Sequence, residues 1–236
     1  MSPFLGEFIG TMLLIIMGDG VVANVVLNKT KGNNSGWIVI TFGWAMAVFL
    51  GVFASVKLGG GGHLNPAVTI AMAAFNADFD SSLLPTYIGA QFAGAFVGAI
   101  VVWLAYKQHF DETTDSNAKL AVFCTGPAIR NAAYNLITEV IGTFILVFGA
   151  LAMSKPASAL GTLEALPVAL LILGIGLSLG GPTGYAINPA RDLSPRIAHF
   201  ILPIRNKRDS DWGYSWIPVV GPIIGALIAA YLFKLI

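Results

Sequence analysis

Charged residues are scarce in this chain, because Asp, Glu, Lys and Arg together make up only 11% of its 236 residues. In a soluble domain of ordinary composition, about a quarter of the residues are charged. Hydrophobic residues make up 56% of the sequence, and the mean hydropathy is +0.77. So few charges cannot cover the surface of a soluble protein. The composition therefore predicts an integral membrane protein.

The hallmarks of several other protein classes are missing too. A single cysteine, Cys124, excludes an internal disulfide framework and a cysteine-rich metal site. The net charge of +1, without a basic cluster interleaved with aromatic residues, argues against nucleic-acid binding. The sequence also contains no Ser-His-Asp set, no metal-ligand spacing and no phosphate-binding loop. We therefore expect no enzymatic activity, no cofactor and no metal site.

Six apolar runs are long enough to cross a membrane, which takes roughly 20 mainly apolar residues. They are Phe4–Leu27, Trp37–Val56, Leu83–Tyr106, Tyr134–Met153, Leu163–Leu179 and Trp216–Ile236. Two shorter apolar stretches, Ala67–Phe75 and Leu193–Leu202, cannot cross, and each follows the tripeptide Asn-Pro-Ala. An even number of spans places both termini on the same side of the membrane.

The two halves of the chain resemble each other, which indicates an internal repeat. "GEFIGTMLLI" (6–15) parallels "TEVIGTFILV" (138–147), and "AQFAGAFVGA" (90–99) parallels "GPIIGALIAA" (221–230). Each half has three spans, so the second half must be inverted relative to the first. Inverted repeats with interrupted helices at matching positions indicate a solute pathway at the repeat interface, near the membrane midplane.

We accordingly predict one transmembrane channel domain that covers residues 1–236. Repeat one extends over about 1–110, repeat two over about 130–236, and the connecting loop over about 107–132. The predicted fold class is an all-α membrane protein with six transmembrane helices and two re-entrant half-helices.

The repeated tripeptide is a helix start, because Asn is a favoured N-cap and Pro is favoured at the first helical position. Two such starts, one in each inverted half, predict two short helices that meet near mid-bilayer with their positive dipole ends. The residues before each start cannot be helical, and unpaired backbone at this depth occurs only where it lines a wet cavity. We expect carbonyls there to accept hydrogen bonds and the asparagine amides to donate them. The expected pore residues are Gly61, Gly62, His63, Leu64, Asn65, Gly184, Tyr185, Ala186, Ile187 and Asn188, and the helix starts are Pro66, Ala67, Pro189 and Ala190.

Two Asn-Pro-Ala boxes in a six-span inverted repeat, with Glu7 and Glu139 early in spans one and four, resemble the major intrinsic proteins, the aquaporins and glycerol facilitators. The resemblance covers nearly the whole chain. It implies a right-handed bundle of tilted helices that assembles as a homotetramer in the lipid bilayer. It also implies that Asn65 and Asn188 bind the permeant, that the two glutamates brace the pore loops, and that the His63 carbonyl faces the pore.

The stretch "NPARDLSPR" after the second box carries the resemblance further. Arg191 matches the family's selectivity-filter arginine, a fixed cation that donates to hydroxyl oxygens and repels cations. Asp192 and Arg196 match positions that separate glycerol-conducting members from water channels, and Pro218 matches a third such position. The resemblance therefore indicates the glycerol facilitator branch, with Asp192 as a structural support of the pore.

The same comparison of motifs suggests the other walls of the filter. It places Trp44 at the filter tryptophan, and it places Gly176 where water channels have histidine and facilitators have glycine. Tyr185 falls where glycerol facilitators usually have phenylalanine. We expect the aromatic faces to contact the carbon backbone of a polyol, Arg191 to bind its hydroxyls, and Gly176 to leave room. The Tyr185 hydroxyl is a departure that leaves the exact solute open.

The predicted function is a passive channel for small neutral solutes, glycerol with some water. Undissociated lactic acid, dihydroxyacetone, urea, hydrogen peroxide or water alone stay open as main solutes. A secondary transporter or a structural membrane protein is the alternative from another class. Coupled transport normally needs a titratable group at the midplane, where the sequence predicts asparagines and places the nearest acids well away along their helices.

The resemblance and the loop charges predict different orientations in the membrane. The resemblance implies a multi-pass protein of the cell membrane, plasma or inner, with cytoplasmic termini. The loops that would then lie outside hold more Lys and Arg than the inside loops, so the positive-inside rule predicts the opposite orientation.

For Asp19, at the far end of span one, we expect a loop cation such as Lys29 or Lys31 as the partner.

Overall fold

The computed structural model describes residues 1–75, 79–153 and 158–236, and within these ranges the chain is helical, with no strand. Ten α-helices follow one another within these described ranges. They are α1 Pro3–Val26, α2 Trp37–Lys57, α3 Pro66–Phe75, α4 Leu84–Ala105, α5 Lys107–Glu112, α6 Ser116–Phe123, α7 Ala132–Ala152, α8 Leu166–Leu179, α9 Pro189–Ile201 and α10 Ile217–Lys234. Short 3₁₀ turns, Ser81–Leu83 and Gly161–Ala165, precede α4 and α8.

Six of these helices are long and apolar enough to cross a membrane, which confirms the six predicted spans. They are α1, α2, α4, α7, α8 and α10, with α4 and α8 extended by their 3₁₀ turns. The outward faces are apolar, as in Ile38, Phe42 and Leu104, which are 70%, 53% and 60% exposed. The buried positions include charged and polar groups such as Glu7 and Arg196. This distribution suits a surface in contact with lipid and an interior that contains the polar groups.

The helix pairs α1–α4 and α7–α10 pack closely at glycines in matching repeat positions. A Cβ built on Gly94 of α4 would lie 2.2 Å from the Phe8 carbonyl oxygen of α1. A Cβ on Gly225 of α10 would lie 2.3 Å from the Val140 carbonyl oxygen of α7. Only glycine allows such close backbone approach, so the repeat seen in the sequence corresponds to two equivalent helix pairs.

The half-helices α3 and α9 begin at Pro66 and Pro189, directly after the two asparagines. Each packs against the last long helix of the opposite repeat, α3 against α10 and α9 against α4. The apolar stretch Leu193–Leu202 forms the later part of α9, which begins four residues before it, at the Pro189 that the tripeptide predicts as a helix start. The exchange of half-helices brings both helix starts to the interface between the repeats.

The segment predicted as a connecting loop, 107–132, contains the helices α5 and α6. These helices lie on one face of the molecule with the loop after α1 and the loop after α9. The Asn28 amide donates to Thr113 Oγ1 at 2.9 Å, and Lys119 Nζ donates to the Arg205 carbonyl at 2.5 Å. The connection is thus a folded cap over this face.

Candidate functional site

Each asparagine of the repeated tripeptide caps its half-helix. Asn188 Oδ1 accepts from the backbone N–H groups of Ala190 and Arg191 at 3.0 and 3.2 Å. Asn65 Oδ1 accepts from Ala67 N–H at 2.9 Å. These side chains satisfy N–H groups that a helix start leaves without intrahelical partners. Both half-helices therefore begin where the sequence predicts.

Each of the two capping asparagines also forms a hydrogen bond with the loop that precedes the other, across the interface between the repeats. Asn65 Nδ2 donates to the Ile187 carbonyl at 2.7 Å, and Asn188 Nδ2 donates to the Leu64 carbonyl at 2.8 Å. An amide nitrogen has two N–H groups, so one per asparagine is used in this reciprocal pair. The second is available to a solute, since both asparagines line the central cavity.

The loops before the caps adopt left-handed backbone at matching positions. Gly62 and Tyr185 have φ of 70° and 38°, and Leu64 and Ile187 have φ of 51° and 43°. Residues other than glycine enter this region only at a cost, so surrounding contacts must hold them there. The backbone of these loops consequently turns its carbonyls away from helical pairing.

The Glu7 carboxylate holds the loop that precedes Asn65. It accepts from His63 N–H at 3.1 Å and from Leu64 N–H at 2.8 Å. Ser55 Oγ and Gln91 Nε2 also donate to it, at 3.0 and 2.8 Å. Hydrogen bonds to an ionised acceptor are stronger than neutral ones, so this carboxylate fixes two successive N–H groups of the loop.

Glu139 holds the second loop in the same way. Its carboxylate accepts from Ala186 N–H at 3.0 Å, Ile187 N–H at 2.8 Å and Thr183 Oγ1 at 2.7 Å. The sequence placed these acids well away from the midplane, and that expectation is wrong. Both carboxylates lie beside the pore loops because the loops fold back against α1 and α7. They face backbone N–H groups, and neither residue is among those that line the cavity.

A cavity of about 280 Å³ runs between the repeats along these loops. One part of its wall is apolar, formed by residues of α2, α3, α7 and α8 that include Val48, Val52, Val68, Leu146, Val168 and Ile172. The predicted pore residues form another part of the wall, except Gly61 and Gly176, which are not among the cavity residues in the described ranges. A Cβ on Gly61 would instead meet the Tyr87 hydroxyl at 2.9 Å. An apolar wall with a few fixed polar groups is typical of a site for a small organic molecule.

Arg191 and Trp44 form one end of the cavity. The guanidinium carbon of Arg191 lies 4.2 Å from the centre of the Trp44 ring, a cation–π contact. Arg191 Nη1 donates to the Phe123 carbonyl at 3.2 Å. Both side chains line the cavity although they are almost fully buried, at 6% and 5% exposure. The arginine therefore has N–H groups left for a solute at a fixed position.

Tyr185 completes this end, and Gly176 lies behind it. A Cβ on Gly176 would lie 2.9 Å from Tyr185 Cζ and 3.0 Å from Thr41 Cγ2. Gly176 was expected to leave room for the solute, but the structure fills that room with the tyrosine ring. The Gly176 carbonyl accepts from Trp37 Nε1 at 3.0 Å, and the Trp37 and Tyr185 rings meet edge to face at 5.9 Å. The Tyr185 hydroxyl is buried without a hydrogen-bond partner among the described residues.

Asp192 and Arg196 anchor α9 to the cap of the molecule. Arg196 Nε and Nη2 lie 2.9 and 2.8 Å from Asp192 Oδ1. Asp192 Oδ2 accepts from the backbone N–H and the hydroxyl of Thr125, at 2.8 and 2.7 Å, and Arg196 donates to the Ser210 carbonyl at 2.8 Å. Sequence reasoning missed Thr125 and Ser210, because they lie in irregular segments without a motif.

Asp19 does not pair with a loop lysine, so that expectation is wrong. Lys29 instead forms an ion pair with Glu112, and Lys31 is exposed at the surface. Asp19 is fully buried in α1, and its Oδ1 lies 3.6 Å from Arg191 Nη1. The arginine reaches Asp19 because α9 enters the bundle from the opposite repeat, a proximity that sequence spacing does not reveal.

Comparisons with known proteins agree with this geometry. The profile of the family described as "Major intrinsic protein" matches residues 1–233. The chain is 60% identical over 234 residues to the "Probable glycerol uptake facilitator protein" of Thermotoga maritima, with 99% of each chain covered. It is 56% identical over 237 residues to the "Glycerol uptake facilitator protein" of Streptococcus pneumoniae R6, with 100% and 99% covered. The X-ray structure of the aquaglyceroporin from Plasmodium falciparum matches with a TM-score of 0.84 at 33% identity, over 98% of this chain and 94% of that one.

Proposed function

Because the chain belongs to the major intrinsic protein family, we propose that it is a passive channel for small neutral solutes, with glycerol as its main solute and water passing as well. The observation that carries this proposal is the cavity between two half-helices that meet at Asn65 and Asn188. Relatives at 60% and 56% identity are named glycerol uptake facilitators, which supports glycerol as the solute.

A polyol fits a pore whose walls differ in polarity. Its hydroxyls accept from Arg191 and from the free amide N–H groups of the asparagines, and they donate to the loop carbonyls. Its carbon backbone faces the Trp44 ring and the valine and leucine side chains of the opposite wall. These contacts replace the hydration shell of the solute. The free-energy barrier to entering the pore between Arg191 and the two asparagines is therefore low for a molecule with one polar and one apolar side.

Cations and protons meet an unfavourable potential at two places along the same path. The N-termini of α3 and α9 point their positive dipole ends at the centre, and Arg191 adds a fixed charge at one end. A neutral solute has no such penalty.

Other neutral solutes are the nearest alternatives, since lactic acid, dihydroxyacetone, urea and hydrogen peroxide share the donor and acceptor groups of glycerol. A secondary transporter is disfavoured because the two acids beside the pore loops are engaged by backbone N–H groups. Channel flux should be linear in solute concentration and independent of proton and sodium gradients. Flux that saturates or follows such a gradient would favour the transporter.

The family and the apolar surface support a proposal for the assembly and the location. We propose a homotetramer in the plasma or inner membrane, with both termini in the cytoplasm. The apolar outward faces of the spans supply the surface that contacts lipid and neighbouring subunits.

A liposome swelling assay with a matched pair of variants tests the proposed function. In a hypertonic glycerol gradient, liposomes with the wild-type protein should shrink as water leaves and then re-swell as glycerol enters. Val52→Trp fills the cavity wall from α2 and should abolish re-swelling. Ile38→Trp adds the same ring on the lipid side of α2, where residue 38 is 70% exposed, and should leave re-swelling intact. Wild-type liposomes that shrink without re-swelling would show a channel for water alone.

A further inference from the structure

A buried carboxylate lies next to the end of the cavity that Trp44, Tyr185 and Arg191 form, which is called the constriction below, without being part of the cavity wall. Asp19 is 0% exposed, and neither of its carboxylate oxygens has a hydrogen-bond partner among the described residues. Its ion-pair partner is Arg191, with 3.6 Å between Oδ1 and Nη1. Burying an ionised group without compensation is costly, so a charge at this position is stabilised by the neighbouring cation.

Arg191 does not depend on Asp19 for its position. The Phe123 carbonyl accepts from its Nη1 at 3.2 Å, and the Trp44 ring stacks under its guanidinium at 4.2 Å. The backbone N–H of Arg191 is also held by the Asn188 side chain at 3.2 Å. Asp19 therefore contributes charge to a group that other contacts already hold in place.

The neighbouring charged pair is self-contained. Asp192 lies 2.8 Å from Arg196 Nη2 and accepts two hydrogen bonds from Thr125, so neither of the two charges is free to offset Arg191. Among the described residues, Asp19 is the acid that forms an ion pair with the pore arginine. Since Arg191 lines the cavity and Asp19 does not, the carboxylate acts on a permeating particle through its field rather than by contact.

We propose that Asp19 sets the ion selectivity of the constriction by offsetting the charge of Arg191, so that small anions are rejected as well as cations. Two helix N-termini and an unpaired arginine would repel cations but attract anions. A carboxylate beside the arginine lowers that attraction, while the guanidinium N–H groups that face the cavity stay available to hydroxyls. The proposal rests on the channel function proposed above.

Asp19→Asn tests the proposal, because it keeps the shape of the side chain and removes one negative charge. We expect nitrate and formate permeability, measured as anion flux into liposomes, to rise at least about tenfold. Proton conductance should not rise, because the constriction becomes more positive. Asp19→Glu keeps the charge and should stay close to the wild type in anion flux. Asp19→Ser removes the charge with a smaller side chain, and it should reproduce the anion leak if Asp19→Asn does not fold.

Two controls separate charge at the constriction from other effects. Glu112→Gln removes the same charge from an exposed acid that pairs with Lys29, and it should change neither glycerol nor anion flux. In an Arg191→Ala background, Asp19→Asn should add no anion permeability, because the charge that it unmasks is gone.

Two outcomes would overturn the proposal. Unchanged anion permeability in both Asp19→Asn and Asp19→Ser would mean that Asp19 carries no charge that matters to ions. A rise in proton conductance without a rise in anion flux would mean that Asp19 only orients Arg191. Glycerol re-swelling of wild-type liposomes is read first, so a failure of the channel function itself is recognised before any variant is compared.

Discussion

The side chain of Tyr185 occupies the space beside Gly176, where a Cβ would come within 2.9 Å of the tyrosine Cζ and 3.0 Å of its oxygen. Glycine at this position therefore acts on the pore through the tyrosine. The ring can lie back against α8 only because residue 176 has no side chain. The width of the cavity at this end is consequently set by a pair of residues and not by the glycine alone.

Gly176→Val should reduce glycerol flux by about tenfold or more and water flux less. Overpacking a filled site costs about 1–3 kcal/mol, and the displaced Tyr185 ring would move toward the cavity, where the larger solute needs more room. Gly174→Val, two residues earlier in α8, is the control, because nothing lies within 4 Å of a Cβ built there. Stopped-flow light scattering measures both fluxes. Equal loss of glycerol and water flux, or equal effects of the two variants, would contradict the role given to Tyr185.

The sequence predicts some of the residues at the constriction but not the contact between Asp19 and Arg191. Arg191 and Tyr185 lie next to the second Asn-Pro-Ala box, and Trp44 is placed by the resemblance of the stretch before the first box. All three line the cavity. Asp19 was assigned the wrong partner, because its contact with Arg191 joins the first helix to the second half-helix. Such contacts follow from the packing of the repeats, which spacing within one segment cannot show.

The two half-helices depend on loops with strained backbone, and each loop is held by one carboxylate. Glu139 accepts from two successive backbone N–H groups, at 3.0 and 2.8 Å, and Glu7 does the same at 3.1 and 2.8 Å. Leu64 and Ile187, the residues just before the asparagines, have positive φ in these loops. The carboxylates therefore stabilise a conformation that the residues themselves disfavour.

Glu139→Gln should destabilise the second half-helix and lower glycerol flux. A neutral amide offers one acceptor oxygen where the carboxylate offered two, so a buried N–H loses its partner at a cost of about 1–3 kcal/mol. The unfolding midpoint in detergent should fall by a few degrees. Glu112→Gln, at an exposed acid of α5, should shift it little. An unchanged midpoint for Glu139→Gln would mean that the loop holds its conformation without the charge.

Hydropathy alone could not have placed α9. Its first two turns carry Arg191, Asp192 and Arg196, and these residues are buried. In a hydropathy profile, the charged residues of a buried membrane helix look the same as a polar loop. Only the repeated Asn-Pro-Ala therefore predicts the start of this helix. The small helices α5 and α6 were missed for a different reason, since short polar segments give little periodic signal and are stabilised here by contacts with other loops.

At the scale of the whole molecule, the six spans followed from hydropathy, but the exchange of half-helices between repeats did not. The positive-inside rule predicts the opposite of the orientation that we propose, and the positions of the cations offer a reason. The cations that the rule counts as external are Lys29, Lys31, Lys107, Lys119, Arg130, Arg205, Lys207 and Arg208. Three of them, Lys107, Lys119 and Arg130, lie in the folded cap, and most of the others lie in the loops that contact it. Six of the eight have local partners, namely Lys29, Lys107, Lys119, Arg130, Lys207 and Arg208.

Several of these cations stabilise the cap or the loops beside it. The hydrogen bond from Lys29 and its charge lower the pKa of the Glu112 carboxyl, and Arg130 lies 2.5 Å from Asp211. Lys207 donates to three carbonyls at the end of α9, at 2.6 to 2.7 Å. Cations at a helix C-terminus are favourable because of its dipole. Charges that serve the fold in this way carry little information about orientation.

We therefore expect both termini in the cytoplasm and the cap outside, against the charge count. Variants with one added cysteine can decide this, because the native Cys124 is buried and should react little with a membrane-impermeant maleimide. Lys31→Cys, exposed in the loop between α1 and α2, should be labelled from outside intact bacterial cells. Lys234→Cys, exposed at the end of α10, should be labelled only after the membrane is permeabilised. The reverse pattern would mean that the loop cations set the topology and that the family's orientation does not hold for this chain.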